Sequence, residues 1–162
     1  MEAIKKILLH KFNEIERRLL QALDQLNDEQ ANWRPNESSN SIANLVVHIQ
    51  GNIRERISRG IRRVDAARDR EAEFEELFRT KLELAAIVRQ SFAEVRDTVS
   101  LMSDDEFAQT QLVRNAERTH LEVLVQCATH FSEHMGQVLY IGKMLKGDEY
   151  VTTSIAKKPR GG

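Results

Sequence analysis

The sequence predicts an all-α fold, a single four-helix bundle, and three observations carry that reading. Apolar residues recur every three or four positions in four separate segments, which is the signature of one buried helix face in each. The 162 residues include only 7 Gly and 2 Pro, too little punctuation for the many turns of an all-β fold. With 41% hydrophobic and 30% charged residues, the composition is that of a globular chain whose length suits one domain. Four amphipathic stripes of similar length bury themselves most simply against one another. The expected domain runs over 1–150, with 151–162 as a flexible tail.

The first stripe is Ile4, Ile7, Leu8, Phe12, Ile15, Leu19, Leu23 and Leu26, and Asn27-Asp28 ends it. Asn32 to Asn40 reads as a loop, because Pro35 bars helical geometry at Arg34. The second helix starts at Asn40 or Ser41 as N-cap and runs through Ile42, Leu45, Val46, Ile49, Ile53 and Ile57, with Gly60 as its stop. A long charged connection from Arg59 to about Arg79 follows. Thr80 and Glu83 form a capping box that opens the third helix, through Leu84, Val88, Phe92, Val95 and Val99 to Leu101. Ser103 and Glu106 repeat the pattern before a short turn or helix. Thr119 and Glu122 repeat it again and launch the last helix, which closes at Gly147.

Charge narrows the function. Lys and Arg total 24 against 25 Asp and Glu, a net charge of −1, which argues against a nucleic-acid partner or an anionic membrane surface. Seven arginines fall between Arg54 and Arg70, interleaved with Glu55, Asp65 and Asp69. They read as a solvated, salt-bridged connection, the competing account being an anion-binding rim. No apolar run reaches the roughly 18 residues of a membrane span. The first apolar run is broken by His10, Lys11, Asn13 and Glu14, unlike a signal peptide, and the single Cys fits a reducing compartment, so a cytoplasmic location is expected.

Histidines supply the chemistry. His130 and His134 lie four apart on the last helix, so both imidazoles reach toward one point. His130-Phe131-Ser132-Glu133-His134 also matches the H-x-x-E-H pattern of inverted zinc peptidases, which need a further acidic ligand from a larger scaffold. His48, in the middle of the second helix, completes a three-histidine set if its helix faces the last one. Three nitrogens with positions left open is the catalytic type of metal site. Asn52 and Gln137, each near one of these histidines by helical spacing, are placed to orient a ligand or a bound water. Glu133 is either a general base or an exposed surface carboxylate. Cys127 reads as a small buried thiol rather than a fourth ligand. His10 and His120 read as helix-surface or cap residues, and Trp33 as the anchor of its loop.

Several short segments, taken together and in this order, resemble the DinB/YfiT-like superfamily. They are Asn32-Trp33-Arg34-Pro35, Asn40 through Asn52, Arg68-Asp69-Arg70-Glu71-Ala72-Glu73-Phe74, and His130 through Gln137. More narrowly they resemble a bacterial branch with the Arg-Asp-Arg linker, over about residues 1–147. The resemblance implies a four-helix bundle in which His48, His130 and His134 bind a divalent metal (Zn, Ni, Fe or Mn). It also implies a homodimer and a small-molecule substrate, with a low-molecular-weight thiol as the candidate co-substrate. The expected function is a hydrolase or thiol S-transferase in which the ion activates water or the thiol. The alternative is a non-catalytic binding or dimerisation module with a vestigial metal site.

Overall fold

Burial of the four stripes sets the architecture. In the computed structural model, which describes residues 1–155, the bundle helices are α1 (Glu2–Asp24), α3 (Ile42–Ile53), α4 (Lys81–Leu101) and α6 (His120–Lys146). Two one-turn helices, α2 (Asp28–Asn32) and α5 (Asp104–Ala108), interrupt the connections. A small antiparallel hairpin, β1 (Thr110–Val113) and β2 (Ala116–Thr119), is the only sheet among the described residues. The fold is therefore mostly helical, as the periodicity predicts, and no helix among the described residues is long and apolar enough to cross a membrane.

Helix α1 packs on α4 and α6, and α3 packs on the same two, so α1 and α3 lie across one diagonal and α4 and α6 across the other. Phe12, Phe92 and Phe131 meet in the centre at tilted and edge-on angles, with ring centroids 6.1–6.5 Å apart. All three are fully buried, and they join α1, α4 and α6. The boundaries follow local chemistry. Ser41, Thr80, Ser103 and Thr119 each close a capping box, satisfying backbone N–H groups that a bare helix start leaves open.

Several expectations need correction. Helix two ends beside Gly60, at Ile61, but its last stretch, Arg54–Ile61, is wound as a π-helix rather than an α-helix. A Cβ at position 60 would overlap the Gln111 side-chain amide, which reaches in from β1 and donates to the Arg56 carbonyl at 3.1 Å. Gly60 is thus also a window for the hairpin. Trp33 is exposed, and the loop is anchored instead by its neighbour. Arg34 donates to Asn44 Oδ1, the Phe74 carbonyl and the Glu75 carbonyl. The first tail residues lie along α1, with Gln25 exchanging two hydrogen bonds with Val151 and Arg18 donating to Thr153. The rest of the expected tail, 156–162, lies outside the described residues.

His120 is 2% exposed rather than a surface residue, and its Nδ1 has no partner. Burial pushes its pKa below the usual imidazole value; Arg63 adds to this and Glu106 opposes it. The unfolded chain therefore takes up a proton more readily than the native one. This stability contribution is complete above about pH 6.5 and is lost as pH falls toward the native value. In chelator-treated protein, His120→Leu should flatten the decline in urea midpoint between about pH 7 and about pH 5. An unchanged slope would place the acid sensitivity elsewhere. Phe92→Ala, which empties the centre of the aromatic trio, should cost about 3–5 kcal/mol in a urea melt.

Candidate metal centre

The three predicted histidines come together. His48 projects from α3, and His130 and His134 project from successive turns of α6. His48 Nε2 lies 3.1 Å from His130 Nε2, and His134 Nε2 lies 3.2 Å from the same atom. Nitrogens sharing one ion through bonds of about 2.1 Å are roughly 3.0–3.4 Å apart at octahedral to tetrahedral angles. The spacing fits. The protonation pattern fits as well. His48 Nδ1 is 2.8 Å from Glu73 Oε2 and donates to it, which leaves Nε2 as a bare acceptor facing another imidazole nitrogen. His134 is oriented likewise, with Nδ1 2.8 Å from Gln137 Oε1. Lone pairs converging at this distance repel unless a proton or a cation stands between them. The three histidines form a group whose ligand atoms could hold a metal ion.

Glu73 is the residue that sequence reasoning missed. It is 3% exposed and held on two sides, by His48 and by an Arg68 fork that donates from Nε at 2.7 Å and from Nη2 at 2.8 Å. Arg68 also pairs with Glu55. The side chains of Arg68 and Glu73 are accordingly turned inward from the linker, while Asp69 to Ala72 between them stay exposed. Asn44 fixes its backbone, donating from Nδ2 to the Glu73 and Glu75 carbonyls at 2.9 Å each. Phe74 packs on the His48 ring at a centroid distance of 4.9 Å. One sequence signal does point here. Gly51 interrupts a good helix one turn after His48, and a Cβ there would overlap the Glu73 carboxylate. Nothing in the sequence says which of Glu71, Glu73, Glu75 or Glu76 fills that window.

The other named residues divide. Asn52 is buried; its Nδ2 donates to the His48 carbonyl at 2.9 Å and stands 3.1 Å from His48 Nε2. Glu133 is exposed on the far side of His130, 3.9 Å from Nδ1, and lines the mouth of the cleft. Cys127 is buried and outside the histidine cluster, with its thiol pushed up to about 12 by burial, so it stays protonated and inert. His10 is exposed, as expected.

Above the three histidines lies an open cleft of about 590 Å³ walled by Arg56, Arg68, Arg70, Arg114 and Gln126. Burial, then the neighbouring imidazoles and the Arg56 and Arg68 charges, depress His130 to about 4. Burial also lowers His48, against the pull of Glu73. Both therefore stand as neutral bases near pH 7, the form a metal requires.

Residues 3–159 match the family described as "Protein of unknown function (DUF1572)". The fold is similar to a crystal structure described as the conserved protein of a locus from Enterococcus faecalis. The TM-score is 0.76 at 16% sequence identity, covering 88% of this chain and 97% of that one. At such identity the likeness concerns the fold alone. No curated protein matches the chain. With nearly its whole length matched, the chain belongs to the DUF1572 family.

Proposed function

We propose that this protein is a divalent-metal-dependent enzyme of the DinB/YfiT-like kind, with His48, His130 and His134 as the ligands. The observation that carries the reading is the convergence of three Nε2 atoms, one of them backed by a buried carboxylate. A divalent cation bound there supplies Lewis-acid activation of water or of a low-molecular-weight thiol. The chain's own groups do the rest. Glu73 fixes the His48 tautomer, Gln137 fixes that of His134, and Asn52 holds the His48 turn of the helix beside the ligand atom. Glu133, which pairs with no Lys or Arg within 4.0 Å among the described residues, accepts a proton at the cleft mouth in this scheme. Hydrolysis and thiol S-transfer of a small molecule are the two reactions the arrangement supports. A cytoplasmic homodimer belongs to the same reading, with the exposed Tyr140 and Met144 as apolar surface for a second copy.

Metal content of untagged protein separates this reading from a vestigial binding module. Zinc, nickel, iron or manganese near one per chain is the expected result. Added metal should raise Tm at neutral pH, by the equivalent of about 2.7 kcal/mol at a hundredfold excess over Kd. His134→Gln should abolish that gain while leaving the metal-free protein folded. A metal-independent Tm in the wild type would favour the vestigial module. Glu73→Gln should weaken metal affinity by about 10–100-fold in a competition titration with a chelating dye. Gly51→Ala, which displaces the same carboxylate without altering it, should weaken affinity in the same direction.

A further inference from the structure

The cleft above the histidines carries more positive charge than its own carboxylates neutralise. Arg68 is consumed by Glu55 and Glu73, and Arg70 lies over the Phe74 ring and pairs with Glu71 at the rim. Two others are left. Arg56 has a buried Nε with no hydrogen-bond partner, and its Nη1 meets only the neutral Gln126 amide, at 3.4 Å. Arg114 sits at the tip of the β hairpin with φ of 55°, a backbone region that non-glycine residues enter at a cost. Neither has a carboxylate within 4.0 Å among the described residues, although both line the same cleft as His130. A neighbouring groove shares Arg56, Arg114 and Gln126 and adds Arg118. The two arginines thus stand where the two depressions meet.

We infer that Arg56 and Arg114 form an oxyanion subsite that binds the carboxylate or phosphate group of a small anionic substrate. This deepens the enzymatic reading by naming the substrate's charge. Both side chains line the cleft with no carboxylate of their own to give up, and guanidinium forks match carboxylate and phosphate oxygens in pairs. The Gln111 bond to the Arg56 carbonyl ties β1 to the Arg54–Ile61 segment, and Arg114 stands in the turn that directly follows β1. An anionic end seated there leaves the remainder of a small molecule beside the three histidines. Glu133 on the exposed wall repels a second anion, so the subsite selects one acidic end rather than a polyanion.

The test uses the full-length protein after chelation, so that it does not depend on a metal. Arginine Nε–Hε NMR signals are followed during separate titrations with inorganic phosphate and with acetate, at constant ionic strength. Saturable shifts of the Arg56 signal with either anion support the subsite, and the tighter of the two names the preferred group. Arg56→Gln and Arg114→Gly should each weaken that binding by roughly tenfold, as expected for a lost charge-assisted contact. Arg114→Gly should do so without lowering Tm, because glycine accepts the positive φ. Arg89→Gln, in a separate surface groove beside α1, should leave binding unchanged. No saturable shift with either anion, or equal affinity in the Arg56 and Arg114 variants and the wild type, would overturn the proposal. Anion binding without any metal binding would sustain this subsite while removing the metal reading.

Discussion

A single buried carboxylate ties the linker to the bundle. Glu73 takes the Arg68 fork on one side and the His48 N–H on the other, far from water. Burying these groups is costly, and the arrangement persists because each charge has a partner with good geometry. With His48 neutral, the ion pair proper is between Arg68 and Glu73, and the imidazole bond orients rather than neutralises. Removing either charged member would strand the other in a low-dielectric site. Through this one contact a charged segment that looks dispensable becomes part of the wall behind the histidines.

The same contact explains why residues scattered along the sequence act together. Arg34 and Asn44 have no role at the histidines themselves. They hold the backbone of Phe74 and Glu75, and Asn44 also holds that of Glu73, so the carboxylate arrives at the right height on α3. Ser41 and Asn44 cap the helix that presents His48. The loop before α3, the cap of α3 and the linker after it are therefore one polar assembly, and the imidazole faces outward from it. This is the arrangement by which outlying hydrogen bonds set the tautomer of a metal-binding histidine.

The bundle was legible because helical spacing, capping boxes and apolar stripes are all local properties of the chain. His48, His130 and His134 were legible for a related reason: the i, i+4 pair is local, and only one further histidine sat mid-helix on an apolar segment. What escaped was decided by distant groups. The hairpin turn uses Arg114 where a glycine would have announced positive φ. The π winding has no marker in the local sequence, and the Gln111 side chain that bonds the Arg56 carbonyl within it comes from 55 residues away. His120 carries a polar label into a buried position that the apolar pattern cannot reveal. Glu73 is one of four acidic residues in six, and only the gap left by Gly51 distinguishes it.

The diagonal placement of α1 against α3 and of α4 against α6 bears on how the chain reaches its native state. In a simple up-and-down bundle, consecutive helices zip as hairpins, and each closes a short loop before the next arrives. Here two of the three successive pairs of bundle helices cannot do so, and the remaining pair, α3 and α4, is separated by the charged connection. The aromatic centre needs α1, α4 and α6 at once, drawing on residues 12, 92 and 131. Such a topology raises contact order for an all-helical protein and places loop-closure entropy ahead of most stabilising contacts. Its folding nucleus must bridge widely separated parts of the chain, with a correspondingly slower search than helix content alone implies.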